Sequence, residues 1–345
     1  MLSPLSSIYA KISDLRNARF DSGKSKSFDL GARTISVGNI TAGGTGKTPL
    51  VILICEKLAG RGKRVCVLTR GYGRSDPKKR VLVSDGKGPL VDARTGGDEP
   101  VEMARRLGGT AIIVADPNRV AAAKWAKEKF GVNAFVLDDA FQHRRAKRDV
   151  DIVCIDAMNA FGGGRMLPAG RLREPLTGLR RASAIVLTRA DLAQNIDDIK
   201  AEIVRYNSSC PIFTSSNRMV EMTLVSKFLL SRDRSEAADT NIDYARLANT
   251  SAFAFCALGN PDSFFGQLRR DNFEVAGTES FADHHAYSQN DIASVTKKAR
   301  DSGAGYLLTT AKDAVKLSGI EFEIPCFVLK TKLVIDDDVG FSALL

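Results

Sequence analysis

The chain has 345 residues, 44% of them hydrophobic, and a net charge of +10, so it is long enough for two domains that each bury a core. No stretch approaches the roughly 18 consecutive apolar residues of a membrane-spanning helix, and the first residues lack the pattern of a secretion signal. The six cysteines form no C-x-x-C pair, which argues against a disulfide framework or a zinc site and predicts reduced thiols in a cytosolic protein.

The first segment, residues 1–25, is predicted to contain an amphipathic helix. Its apolar residues recur at helical spacing, with Lys11 and Arg16 to the sides; they are Leu5, Ile8, Tyr9, Ile12 and Leu15. Such a helix can lie in a membrane interface, or it can pack on its own domain. The sequence pattern leaves both interpretations open.

A glycine-rich loop follows in "GNITAGGTGKTP", residues 38–49. It departs from the phosphate-loop pattern G-x-x-x-x-G-K-[ST] only at the first position. A β-branched run precedes it and a helical pattern follows, as in phosphate loops. We expect Lys47 to reach the terminal phosphates of a nucleotide and the Thr48 hydroxyl to bind Mg²⁺. The predicted nucleotide-binding residues are Thr41, Ala42, Gly43, Gly44, Thr45, Gly46, Lys47 and Thr48.

Short apolar runs then alternate with helical segments, the clearest of which is residues 118–130. This alternation predicts an α/β fold with a doubly wound, mostly parallel sheet of the P-loop NTPase type. The composition changes beyond residue 213, where polar stretches such as residues 231–243 begin. We therefore expect a P-loop domain over residues 26–213 and a smaller α/β domain over residues 214–345.

Acidic residues stand at two places suited to phosphoryl transfer. Asp138 and Asp139 end an apolar run in the manner of a Walker B strand, whose carboxylates hold Mg²⁺. Asp98 and Glu99 stand just before a predicted helix. Asp98 could cap that helix, or it could be the carboxylate that a kinase places near the acceptor hydroxyl.

The three histidines lie in polar, motif-like contexts. His143 follows Asp139 closely, which predicts a position near the nucleotide. His284 and His285 lie in "FADHHAY"; no third ligand at suitable spacing accompanies them, so we do not predict a zinc site there.

The basic charge is concentrated in residues 144–181, which hold nine basic and four acidic residues. This surplus predicts an anionic partner. Nucleic acid, an anionic membrane and a phosphorylated substrate all fit.

Together these motifs resemble the tetraacyldisaccharide 4'-kinases, the lipid A 4'-kinases of Gram-negative bacteria. The resemblance extends from residue 38 to residue 317 and includes, after the glycine-rich loop, "TRGYGR", "GDEP", "DPNR", "DDAFQHRR", "LPAGRLREPL", "LTRAD", "GNPDSFF", "DHHAY" and "LTTAKDAVKL". It departs at Ala311, where the family has glutamate, and in an N-terminal segment that is more charged than usual.

The resemblance implies an ATP-dependent lipid kinase that uses Mg²⁺ and acts in lipid A biosynthesis. It would transfer the ATP γ-phosphate to the 4'-hydroxyl of a tetraacyldisaccharide 1-phosphate. The implied partners are this lipid A precursor and the inner-membrane surface, at whose cytoplasmic face the protein would be peripheral. No nucleic acid and no obligate protein partner are expected.

Residue roles follow from the same resemblance. Asp98 would be the general base and His284 the group that tunes it, with Lys47 as the third catalytic residue. Thr48, Asp138 and Asp139 would serve the metal. The phosphate and substrate side would be lined by Arg119, His143, Arg173 and Glu174.

Two other functions are compatible with parts of the sequence. A GTPase or metallochaperone-type NTPase is suggested by residues 187–191, "LTRAD", which are similar to a guanine-recognition signature but carry Arg189 in place of lysine. A nucleic-acid binder would use residues 144–181, but Phe161 is the only aromatic residue there, whereas single-strand binders stack bases on several.

Overall fold

The computed structural model describes residues 3–230 and 250–345, so the polar stretch of residues 231–243 lies outside the described residues. The strands are β1 (Arg33–Asn39), β2 (Val65–Thr69), β3 (Val81–Ser84), β4 (Ala111–Ala115), β5 (Ala134–Asp138), β6 (Val150–Asp156), β7 (Ala184–Thr188), β8 (Ile212–Leu224), β9 (Ala252–Cys256), β10 (Val275–Ser280), β11 (Tyr306–Thr310) and β12 (Cys326–Ile335).

The α-helices are α1 (Ser3–Asp21), α2 (Lys47–Gly60), α3 (Ala93–Gly96), α4 (Asp98–Arg106), α5 (Arg119–Phe130), α6 (Ile196–Val204), α7 (Val225–Leu230), α8 (Pro261–Arg270), α9 (Gln289–Asp301), α10 (Ala311–Ala314) and α11 (Asp338–Leu344). None of the helices in residues 3–230 and 250–345 combines the length and the hydropathy of a membrane-spanning segment.

The chain divides into two compact units. Unit 1 takes the described residues of Met1–Arg70, Thr110–Ser216 and Leu333–Leu345, and unit 2 takes those of Gly71–Gly109 and Asn217–Lys332. The chain passes from unit 1 to unit 2 after Ser216, close to the predicted boundary at residue 213. The units nevertheless differ from two contiguous domains, because the segment that contains Asp98 belongs to unit 2.

Unit 1 is built on a parallel sheet in the order β8-β7-β6-β1-β5-β2-β4. The first residues of β8 pair with β7. Strands β2, β4, β5, β6 and β7 are buried along their whole length, so they carry nearly continuous apolar runs. β1 lies between β5 and β6, the point at which the strand order reverses. In such sheets ligands bind beyond the carboxyl ends of the strands at this point.

Helix α5 begins and ends at residues that are typical of helix ends. Asn118 accepts a hydrogen bond from the Ala121 backbone N–H and so caps the first turn. Gly131 ends the helix in a left-handed conformation with φ 63°. The prediction of a helix over residues 118–130 is confirmed to within one residue.

Unit 2 has its own parallel sheet in the order β10-β9-β11-β12. Its core includes Phe264, Phe265 and Leu268 of α8. Polar residues follow the carboxyl ends of the strands here as well. Asp283 and His284 follow β10, and Lys312 follows β11.

Candidate functional site

The phosphate loop connects β1 to α2 in unit 1. Gly43 has φ 112° and Gly46 has φ 75°, values that residues with a Cβ rarely adopt. Gly46 is the N-cap of α2, so Lys47 and Thr48 are the first two residues of the helix. Backbone N–H groups at such a helix start favour anions. The loop therefore has the conformation of an anion-binding turn.

Side chains from neighbouring strands brace this loop. Asn39 Nδ2 donates to Thr45 Oγ1 at 2.9 Å, and Thr188 Oγ1 donates to the Thr45 carbonyl at 3.0 Å. Arg189 Nη2 donates to the Gly44 carbonyl at 2.5 Å and forms an ion pair of 2.6 Å with Asp156. Arg189, which suggested a guanine signature, thus contacts the phosphate loop. In the sequence, the feature that could have indicated this contact is an arginine directly after the buried strand β7.

Asp139 joins two cations beside the loop. Its carboxylate accepts hydrogen bonds from Arg173 Nη1 at 2.8 and 3.0 Å and lies 3.5 Å from Lys47 Nζ. Burial acts to raise the pKa of Asp139, but Lys47 and Arg173 outweigh it and lower the pKa to about 2. Asp139 has φ 47°, so the chain turns sharply after Asp138 instead of remaining extended.

Asp138 has a different environment. It is the last residue of β5 and is buried, and Thr69 Oγ1 donates to its carboxylate at 2.9 Å. The Thr48 hydroxyl is presented by the first turn of α2. Both side chains offer oxygen donors, the ligand class that Mg²⁺ binds together with phosphate oxygens and water. The donor chemistry therefore fits a magnesium ion.

Arg119 and His143 are placed in unit 1 as well. Arg119 is 4% exposed; its Nη2 donates to the Asp138 carbonyl at 3.4 Å, whereas its Nε has no hydrogen-bond partner in the described part of the chain. Burial, together with the charges of Arg119 and Arg148, lowers the pKa of His143 to about 4, so this imidazole is neutral at pH 7. His143 Nε2 is likewise buried without a partner among the described residues.

Glu174 is buried and paired with several neighbouring side chains. It is 1% exposed, and its carboxylate accepts hydrogen bonds from Arg181 Nη2 at 2.7 Å, Gln142 Nε2 at 2.8 Å and Asn17 Nδ2 at 3.3 Å. Gln142 also donates to the Asn39 carbonyl at 2.8 Å. Glu174 thereby links its own segment to the end of β1.

In unit 2, Asp98 and His284 form a direct pair. Gly97 is the N-cap of α4, so Asp98 is the first helical residue and not the cap. Asp98 is 6% exposed; its Oδ1 accepts from the Glu99 backbone N–H at 2.9 Å, and its Oδ2 lies 2.8 Å from His284 Nδ1. The Tyr72 ring, which is largely exposed, lies 5.0 Å from the His284 ring.

Lys312 is a member of this cluster that the sequence did not identify. Its Nζ lies 3.0 Å from Asp283, 3.5 Å from Glu99 and 3.9 Å from Asp98. Burial opposes the charge of Lys312, but the three carboxylates outweigh burial and raise the pKa of this ammonium group. In the sequence, the feature that could have indicated this residue is a lysine two positions after the apolar strand β11.

The electrostatics of the pair favour an ionised carboxylate. Burial acts to raise the pKa of Asp98, but the hydrogen bond from His284 and the charge of Lys312 bring it below its usual value. The hydrogen bond to Asp98 raises the pKa of His284, against the effect of burial. His284 and Lys312 therefore stabilise the ionised form of Asp98, the form that can accept a proton.

His285 contacts the first turn of α9. Its Nε2 lies 3.2 Å from Asp291, the residue that completes the capping box of α9 with Ser288. Within residues 3–230 and 250–345, no group of three or more histidine, cysteine, aspartate or glutamate residues is arranged to hold a metal ion.

Helix α1 contacts the rest of unit 1 through polar groups and leaves a row of apolar residues exposed. Ser6 Oγ donates to the Met166 carbonyl at 2.9 Å, and Arg144 donates to the Asn17 carbonyl at 2.9 Å and to Asp21 at 2.7 Å. The exposed apolar side chains are Leu5 (53%), Ile8 (55%), Tyr9 (38%), Ile12 (59%) and Leu15 (68%).

The chain is similar to known proteins over most or all of its length. The family model described as tetraacyldisaccharide-1-P 4'-kinase matches residues 1–345. The chain is 38% identical to the tetraacyldisaccharide 4'-kinase of Halothermothrix orenii, covering 100% of this chain and 91% of the relative. It is 37% identical to that of Geobacter metallireducens, covering 93% and 89%. The structure is similar to the "apo" form of LpxK from Aquifex aeolicus in complex with ATP, with a TM-score of 0.77, 32% identity and coverage of 99% and 96%.

Proposed function

Because the chain belongs to the tetraacyldisaccharide-1-P 4'-kinase family, we propose that it transfers the γ-phosphate of ATP to the 4'-hydroxyl of a tetraacyldisaccharide 1-phosphate. The observation that carries the proposal is the phosphate loop, with Lys47 at the start of α2 and 3.5 Å from Asp139. In the reaction the acceptor oxygen forms a bond to the γ-phosphorus, the bond from that phosphorus to the β-γ bridging oxygen breaks, and ADP leaves.

Residues 41–48 would bind the ATP phosphates, and Lys47 would exchange part of its contact with Asp139 for the γ-phosphate. Thr48 and Asp138 would hold Mg²⁺, which neutralises charge on the β- and γ-phosphates when it is bound. Asp139 is already engaged with Lys47 and Arg173. We therefore propose that Asp139 orients these two cations and that Asp138 binds the metal directly.

Asp98 would accept the proton of the 4'-hydroxyl as the new bond forms. A general base must be deprotonated at the start of the step, and the contacts of Asp98 with His284 and Lys312 favour that state. His284 would tune the pKa of Asp98 through its Nδ1. Proton transfer of this kind contributes on the order of 10²–10⁴-fold to the rate.

Arg119, His143 and Arg173 would serve the phosphate and substrate side. Arg119 and His143 have buried nitrogen atoms without protein partners in the described residues, which an anionic group could satisfy. Glu174 would act indirectly, because its carboxylate is occupied by Arg181 and Gln142.

The protein would work as a peripheral protein at the cytoplasmic face of the inner membrane. The exposed apolar residues of α1 would enter the interface, and basic residues of 144–181 would add attraction to anionic lipids. The lipid A precursor is then the partner that brings the protein to this surface.

A direct assay tests the proposal. Purified protein is incubated with γ-labelled ATP, Mg²⁺ and the disaccharide 1-phosphate in detergent, and the position of the label on the product is determined. We expect label at the 4'-position and much slower transfer from γ-labelled GTP. Release of labelled phosphate without lipid product, or a preference for GTP, would contradict the proposal and favour an NTPase of another kind.

A further inference from the structure

A segment of unit 1 runs along the phosphate loop and fixes the position of Arg171. The Ala42 backbone N–H donates to the Arg171 carbonyl at 2.7 Å, and the Arg173 N–H donates to the Ile40 carbonyl at 2.7 Å. Between these two bonds, Thr41 and Leu172 form an antiparallel bridge. The backbone of Arg171 is therefore held directly opposite Ala42.

The Arg171 side chain extends over the loop itself. Its Nε donates to the Ala42 carbonyl at 3.0 Å, which orients the guanidinium group. A Cβ atom built on Gly43 would collide with Arg171 Nη2, so the guanidinium fills the space that a side chain would otherwise take. The Nη groups are thus placed at the turn that binds phosphate.

Within the described part of the chain, Arg171 differs from the other cations at the loop in its lack of an ion pair. Lys47 and Arg173 are paired with Asp139, and Arg189 is paired with Asp156. Arg171 is exposed, and no carboxylate of the described residues forms an ion pair with it. A positioned guanidinium without an acidic partner, beside an anion-binding turn, is suited to a phosphate ligand.

We propose that Arg171 is a further phosphate-binding residue that contacts the terminal phosphate of ATP and stabilises it during transfer. The inference rests on the proposed function for the identity of the nucleotide. An arginine supplied by the same chain neutralises charge that develops on the transferring group. Arg171 would do so from the segment that also carries Arg173, while Lys47 acts from the helix.

The test compares Arg171→Ala and Arg171→Lys with the wild-type protein. Arg165→Ala is the matched control, since Arg165 is an exposed arginine of the same segment. Dissociation constants for ATP and for ADP are measured without lipid, and kcat is measured with lipid in detergent. Thermal unfolding of each variant checks that the fold is retained.

We expect Arg171→Ala to weaken ATP binding on the order of ten- to a hundred-fold, the effect of losing a hydrogen bond to a charged group. ADP binding should change less than about twofold if the contact is to the terminal phosphate alone. The kcat should fall as well, Arg171→Lys should recover part of both losses, and added guanidinium at a non-denaturing concentration should restore part of the Arg171→Ala rate.

Arg171→Ala with ATP affinity and kcat equal to those of Arg165→Ala would overturn the inference. Equal losses of ATP and ADP affinity would overturn it too, because they would indicate a general effect on the loop. Wild-type protein that binds ATP but does not phosphorylate the lipid would instead contradict the proposed function, and the nucleotide comparison would still report on Arg171.

Discussion

His284 Nδ1 lies 2.8 Å from Asp98 Oδ2. The hydrogen bond lowers the pKa of Asp98 and raises that of His284, so both shifts favour a carboxylate beside an imidazolium. His284 has φ 63° in the turn after β10, a backbone conformation that residues other than glycine seldom adopt. The ionisation of Asp98 therefore depends on the His284 ring, together with the charge of Lys312.

Replacing Asp98 with asparagine is expected to lower kcat on the order of 10²–10⁴-fold, because it removes a proton acceptor and keeps the shape. The dissociation constant of ATP should remain close to that of the wild type. Steady-state kinetics and equilibrium ATP binding measure the two effects. Glu99→Gln is the control, since it removes a neighbouring carboxylate whose ion pair in the described residues is with Lys312 and not with His284. If ATP binding collapses and kcat is spared, Asp98 is not the base.

His284→Ala is expected to reduce kcat less than Asp98→Asn does. Without the hydrogen bond from Nδ1, the pKa of Asp98 rises, because burial still acts to raise it and one of the interactions that oppose burial is lost. A base with a raised pKa loses activity at a higher pH as the solution is acidified. The acid limb of the kcat–pH profile should therefore move to higher pH. His285→Ala should leave the profile unchanged; identical profiles for all three proteins would contradict the pairing.

Lys312→Met is expected to move the acid limb in the same direction, because it removes a buried positive charge 3.9 Å from Asp98. It also leaves Asp283 without its ammonium partner, so the thermal midpoint should fall. Lys312→Arg keeps the charge and should retain most of the profile. A lowered midpoint with an unshifted profile in Lys312→Met would assign Lys312 to stability alone.

The sequence was informative wherever the function depends on local pattern. The loop of residues 38–49 and the helix of residues 118–130 were predictable because glycine positions, capping residues and apolar runs act over a few residues. Two other features were not predictable: the hydrogen bond from Arg189 to the loop and the position of Lys312 beside Asp283. Each depends on contacts between segments that are distant in the chain. For the same reason no pattern could reveal that residues 71–109 belong to unit 2.

Lys47→Ala is expected to lower kcat by about 10²–10³-fold, which corresponds to the ~3–4 kcal/mol that one electrostatic contact to the developing charge supplies. The fold should be retained, since Lys47 lies in the first turn of α2 and contacts only Asp139 among the carboxylates described. Lys63→Ala, an exposed lysine just after α2, is the control. Transfer rates with γ-labelled ATP make the comparison; equal rates in both variants would remove the phosphate-loop interpretation.

The exposed apolar row of α1 predicts how the protein reaches a lipid substrate. Ile8 and Ile12 are 55% and 59% exposed, whereas the polar contacts that hold α1 to unit 1 come from Ser6, Asn17 and Asp21. Replacing both isoleucines with serine therefore leaves the attachment of α1 unchanged and removes apolar surface that an interface would bury. Full burial of one such side chain is worth about 1.5–3 kcal/mol. Even if the two isoleucines insert only partly, their loss in the variant should weaken vesicle binding at least tenfold.

The measurement is co-sedimentation with anionic vesicles at low and high salt. Wild-type protein should bind at both salt concentrations, because apolar burial is not screened; the Ile8→Ser/Ile12→Ser variant should bind weakly and dissociate at high salt, because only basic residues of 144–181 remain. A protein lacking residues 1–20 should behave like the variant, and the apparent KM for lipid in vesicles should rise in both. Val339→Ser, which removes an 83% exposed side chain from α11, is the control. Equal partitioning of all these proteins would show that α1 does not enter the membrane.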